Sequence, residues 1–273
     1  MCSDPSLAIL TPSPDIYGYY AGRTGKRYHS PSPNWLDDGA YTLGVASYAI
    51  VSAPHALVFD AHISPIHASA VLSHLRSLGV TQIIASEETK RRIKDGLESF
   101  LSGDPSFEGV LPTRTFNGIL PLSVGALDVE LCSFNIHTSD SIVVWIPSVK
   151  LLLAGDTLED TCTFMAEPEN GAVHLRELER MERDFPSARI LPAHGSAERI
   201  NEKGYDMQFV AATRRYIAAM TKVGEREPKA WNESLREVQC VQKDLQREAV
   251  EYWGEYEMVH KENVQALRSL TGS

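Results

Sequence analysis

The chain lacks any run of about 18 apolar residues, the length a helix needs to cross a bilayer, so no membrane span is expected. It also lacks a basic excess. Lys and Arg number 26 against 36 Asp and Glu, a formal net charge of −10. Binding nucleic acid or an anionic membrane surface would need a basic face, so neither partner is expected. Cysteine is sparse: Cys2, Cys132, Cys162 and Cys240 are scattered, with no CxxC pair and no disulfide-like framework. They read as reduced thiols of a cytoplasmic protein. The opening MCSDPSLAIL has no basic n-region and too short an apolar stretch for a signal peptide. No repeat at helical-array spacing is visible. What remains is a globular composition, 273 residues of which 43% are apolar, enough for one or two domains and a sizeable core.

The chain is organised around LLLAGDTLEDT, Leu151 to Thr161. Its short apolar run predicts a buried strand. Gly155 permits a sharp break where that strand ends, which presents Asp156 at the carboxyl end, the usual place for a site in α/β proteins. A carboxylate there must be hydrogen-bonded, paired or metal-bound. Two other places repeat the pattern. His137 closes ALDVELCSFNIH and precedes Thr138; His194 follows Ile190 to Pro192 and lies between Ala193 and Gly195. Taken singly, a strand-end Asp is more often a turn or N-cap residue, and a lone His a half-buried side chain. Three such residues in one setting make a metal-competent ligand set.

In chain order, residues 1–38 are rich in Pro, Ser and Tyr and read as an irregular arm. Residues 39–203 read as the main domain. Tyr41 to Ile50 and Ala56 to Asp60 predict a hairpin ending in Asp60 and His62, which read first as the cap of the next helix and its neighbour. Ser64 and Pro65 open that helix, Val71, Leu75 and Leu78 form its apolar face, and Gly79 closes it. His67 and His74 read as surface residues of it. Val80 to Ala85 is a short strand, and Ser86 caps a second helix with Glu87 and Glu88 in its first turn. Strands are expected near 113–116, 118–122, 126–136, 141–146 and 149–154, then an amphipathic helix over Val173 to Phe185 and a strand from Arg189. Residues 204–273 read as helices packed on the domain, with a lid over a substrate mouth as the other reading.

The segments IHTSD (Ile136 to Asp140), VVWIP (Val143 to Pro147), LLLAGDTLEDT and ILPAHG (Ile190 to Gly195) resemble, in order and spacing, the metallo-β-lactamase superfamily. The resemblance runs from about Asp15 to about Tyr216. It implies a four-layer αββα sandwich of two mixed sheets with helices outside. It implies zinc, a small-molecule substrate, and a hydrolase acting on an ester, thioester, lactone or amide. His137, Asp156 and His194 match metal-ligand positions, with Asp156 bridging two zinc ions and contributing to catalysis. Thr138 and Thr157 would orient ligands, and Asp60 or His62 could substitute for a missing one.

One departure is large. The family's HxHxDH motif, which supplies most of the ligands, is absent from this chain, although it holds nine histidines. VTQI runs directly into IIASEETKRR, as if one βα unit, on the order of 25 residues, were missing between Ile83 and Ile84. In the family His137 would serve one zinc and His194 the other. Each ion would keep one histidine and the shared aspartate, short of the three protein ligands of ordinary catalytic zinc. Weak, substoichiometric zinc and impaired hydrolysis follow as expectations. The alternatives are a non-catalytic binding protein of this fold, or an incomplete form of an active enzyme.

Overall fold

The computed structural model describes residues 7–23, 41–52, 55–60, 65–75, 84–86, 114–222 and 227–271. β1 (Ala8–Ser13), β2 (Ile16–Ala21), β3 (Val45–Ser52) and β4 (His55–Phe59) form a sheet in chain order. Every pairing in it is antiparallel. β5 (Ile84–Ser86) and β6 (Arg114–Phe116) form a separate parallel pair. β7 (Ile119–Val124), β8 (Leu127–Ser133), β9 (Ile142–Ile146), β10 (Leu151–Glu159) and β11 (Arg189–His194) make the second sheet, in the order β11-β10-β9-β8-β7. It is mixed: β10 runs parallel to β11, and the other pairs are antiparallel.

The two sheets face each other. Alternation along β2 and β3 sends Tyr20, Ala46, Tyr48 and Ile50 into the main core with Leu131, Val144, Leu153 and Leu191. The opposite face of the same strands sends Tyr19 and Ala49 against Val71 and Leu75 of α1 (Pro65–Leu75). Two tyrosine hydroxyls stitch the layers: Tyr48 donates to the Pro192 carbonyl at 2.6 Å and Tyr20 to that of Gly195 at 2.9 Å. α2 (Gly171–Asp184) and α4 (Met207–Met220) supply the outer layer on the second sheet. Leu178 and Met181 of α2, and Phe209, Val210, Tyr216 and Ile217 of α4, are buried, each aliphatic or aromatic side chain contributing about 1.5–3 kcal/mol. Between them runs the short α3 (Ala197–Asn201). The order helix, sheet, sheet, helix is the expected αββα sandwich. α5 (Gln239–Gln246) and α6 (Tyr256–Thr271) follow, and α6 buries Tyr256, Val259, His260, Asn263, Val264 and Leu267 on one stripe. No described helix is long and apolar enough to cross a membrane.

Four expectations are corrected. Residues 8–21 are no irregular arm but a hairpin of the first sheet. Among the described residues that sheet is antiparallel, not mixed. β10 does not stop at Gly155 but runs on to Glu159. His67 is fully buried rather than on the surface, since it lies one turn before Val71 on the same helical stripe. Ser64, Gly79, His62, residues 80–83 and the helix expected after Ser86 lie outside the described residues.

Candidate functional site

β10 creates the site by changing partners. Leu151 to Leu153 pair with both β9 and β11; beyond Leu153 the register with β11 shifts twice, bringing Gly155 beside Pro192 and Glu159 beside His194. Gly155 takes φ +55°, and a Cβ there would stand 3.3 Å from Asp60 Oδ2 and 3.3 Å from the Phe59 ring. The close approach of β4's end therefore needs glycine. Asp156, the next residue, turns a half-exposed carboxylate toward the end of β11.

His194 ends β11, almost completely buried. Its Nδ1–H donates to the Gly44 carbonyl at 2.6 Å. A carbonyl only accepts, so in the neutral ring the proton is on Nδ1 and the lone pair on Nε2. Burial lowers the pKa of His194, and Asp156 partly opposes it. Nε2 stands 3.4 Å from Asp156 Oδ1. Two acceptors thus face each other, an arrangement that a proton or a metal cation between them would satisfy.

His137 sits at φ +67° in the tight link after β8. Its Nδ1–H donates to the Phe164 carbonyl at 2.9 Å, which leaves Nε2 as its lone pair, and Glu159 Oε1 lies 3.7 Å from Nδ1. Proximity to His137 lowers the pKa of His194 a little further. Asp60 joins them. It adopts φ +62°, and desolvation of its carboxyl, then the negative Asp156, push its pKa up to about 8 although the residue keeps a solvent-facing edge. The left-handed bend at Asp60 aims it at Gly155 of β10.

The two threonine hydroxyls bond locally. Thr157 donates its hydroxyl to the Ala154 carbonyl at 2.6 Å, and Thr138 Oγ1 pairs with Ser141 Oγ at 3.0 Å. Neither hydroxyl bonds to His137, Asp156 or His194 among the described residues.

Sequence reasoning missed Glu159 and Asp160. Glu159 is buried, accepting from Phe164 N–H at 2.9 Å and Tyr256 hydroxyl at 3.3 Å; burial first, then Asp156, hold its pKa well above the usual carboxylate range. Asp160 accepts from Tyr205 hydroxyl at 2.7 Å and Glu251 N–H at 2.7 Å. Burial raises its pKa to about 6, against the pull of Arg23 and these donors. The readable signal was three acids, Asp156, Glu159 and Asp160, in a stretch whose apolar start marks it as buried.

His137, Asp156 and His194 offer the right donor atoms for zinc. Their number falls short: among the described residues no three His, Cys, Asp or Glu side chains are grouped to hold a metal ion.

No family model matches the chain, and no curated protein does. Solved structures do. A metallo-beta-lactamase from Pontibacter korlensis is 16% identical, with a TM-score of 0.54, covering 77% of this chain and 98% of its own. VMB-1 is 15% identical, with a TM-score of 0.58, covering 79% and 98%. The DIM-1 metallo-beta-lactamase is 14% identical, with a TM-score of 0.52, covering 78% and 97%. Identities this low speak for architecture, and that architecture is clear: this chain has the metallo-β-lactamase fold, without an HxHxDH motif.

Proposed function

We propose that this chain carries the incomplete site of a metal-dependent hydrolase for a small acyl substrate, and that as it stands it binds zinc weakly and hydrolyses little. The observation that carries this is the pair of facing acceptors, His194 Nε2 and Asp156 Oδ1, 3.4 Å apart. Each histidine's Nδ1 is committed to a backbone carbonyl, which leaves both Nε2 atoms as candidate donors. Fold neighbours named metallo-beta-lactamases, whose name refers to a cyclic amide, support the acyl class of substrate. Cys132, Cys162 and Cys240 are free, in keeping with a reducing compartment. The net charge of −10 disfavours nucleic acid as a partner.

The shortfall in donors supports the impairment. One histidine and a shared carboxylate per metal is below the three protein ligands of catalytic zinc. The test compares the chain with a version carrying an HxHxDH-bearing segment between Ile83 and Ile84. Both are supplied with zinc and assayed on a nitrophenyl ester, a thioester, a lactone and a β-lactam. Hydrolysis only after insertion is the expected result. An insertion variant that binds two zinc ions yet hydrolyses none of the four would establish the non-catalytic binding reading instead.

A further inference from the structure

We infer that the C-terminal segment from Glu251 to Asn263 positions both site histidines, Trp253 acting on His194 and Tyr256 on His137. The inference rests on the reading of these two histidines as the site.

One path runs through Glu159. The Tyr256 hydroxyl donates to Glu159 Oε2 at 3.3 Å. The other oxygen of that carboxyl accepts the Phe164 N–H at 2.9 Å. The Phe164 carbonyl in turn accepts Nδ1–H of His137 at 2.9 Å. A second path runs through the turn before β3. Trp253 Nε1–H donates to the Thr42 carbonyl at 2.8 Å. Arg23 lies over the Trp253 ring, 5.2 Å from its centroid, and donates to the Leu43 carbonyl at 2.8 Å. The next carbonyl, that of Gly44, receives Nδ1–H of His194.

The loop between the paths is tied to the same segment. Glu251 N–H donates to Asp160 Oδ1 at 2.7 Å, and Thr161 Oγ1 donates to the Glu251 carbonyl at 2.7 Å while accepting from Trp253 N–H at 2.8 Å. Asn263 accepts from Met165 N–H at 2.8 Å and donates to the Thr163 carbonyl at 2.9 Å. Residues 160–166 carry no helix or strand, so these bonds, with partners about ninety or more residues away, set their geometry. A ring that gives Nδ1–H to a fixed carbonyl has its Nε2 direction fixed as well. Trp253 and Tyr256 thus act through Gly44 and Phe164, as positioning residues.

The test reads the rings themselves, by long-range ¹H–¹⁵N correlation of labelled, metal-free full chain. His137→Gln and His194→Gln assign the signals. Both rings should show the neutral Nδ1–H form. Tyr256→Phe should convert His137 to a mixture of tautomers and leave His194 unchanged. Trp253→Phe, which keeps an aromatic ring for Arg23 but removes the N–H, should do the reverse. A dispersed amide spectrum certifies folding, and each variant reads one histidine, so loss of one variant to misfolding leaves the other decisive. A ring keeping its pattern in its own variant, or both rings changing together in either one, overturns the inference. Because the protein is metal-free, this outcome is independent of zinc; a zinc titration that leaves the His194 signals unmoved would count against the proposed function instead.

Discussion

His194 Nε2, at the carboxyl end of β11, and Asp156 Oδ1, within the last residues of its parallel neighbour β10, stand 3.4 Å apart. Both atoms accept, and neither has the other's proton to use. If a cation resolves this pair, Asp156→Ala should weaken zinc binding at least about tenfold, about 1.4 kcal/mol. His74→Ala should leave it unchanged, because His74 pairs with Tyr19 on the far face of the first sheet. Equal losses in the two variants, followed by isothermal titration with zinc, would mean the ligand assignment is wrong.

His174 on α2 makes a second, pH-dependent expectation. It is fully buried, and neither ring nitrogen has a hydrogen-bond partner among the described residues. Burial holds its pKa down at about 4, with Glu167 and Glu169 opposing and His137 adding to the depression. In the unfolded chain its pKa is about 6.5. Between the two values the unfolded chain binds the extra proton, so this contribution to stability is complete above about pH 6.5. It is lost as pH falls toward 4, by at most about 3 kcal/mol. His174→Leu should flatten that part of the stability curve in urea unfolding at pH 7, 6 and 5. Parallel curves for wild type and variant would refute it.

Gly44 carries a third. It adopts φ +82°, and a Cβ there would run into the Tyr20 hydroxyl. Gly44→Ala should cost about 1–3 kcal/mol in chemical unfolding. It should also move the carbonyl that holds His194, seen as loss of the Nδ1–H signal of that ring. A variant as stable as wild type with an unchanged ring would show that the turn tolerates a side chain.

Much of the sandwich was legible because its strands alternate or run apolar. β10 reads as buried on both faces from LLLA alone, and α2 and α4 from their 3.6-residue stripes. The first hairpin was not legible: Pro12, Pro14 and Gly18 argue against strands, and what overrides them is tertiary. A Cβ on Gly18 would stand 3.4 Å from the Tyr48 ring, so the glycine marks close packing within a sheet rather than a turn. At the site, the strand-end reading held for His194, while Asp156 lies inside β10, which continues to Glu159. Glu159 was hidden because its role depends on Tyr256 of α6, 97 positions away, and Asp60 read first as a helix cap because its place beside Gly155 depends on a left-handed bend. No local pattern encodes such pairings.

The topology gives a fourth expectation. Among the described residues β4 is the last strand of its sheet, and β5 pairs with β6 instead. An HxHxDH-bearing segment between Ile83 and Ile84 should raise zinc binding to about two ions per chain, the count of two-metal hydrolytic sites. An insertion variant that folds, by amide dispersion, but binds no more zinc than the parent would show that the surviving positions are not those of a metal site.

The most direct measurement is elemental analysis of the purified full chain after zinc loading and extensive dialysis. With one histidine and a shared Asp156 available to each metal position, less than one zinc per chain should remain, removable by a mild chelator. Two tightly held zinc ions per chain would contradict this and would mean that other residues complete the site.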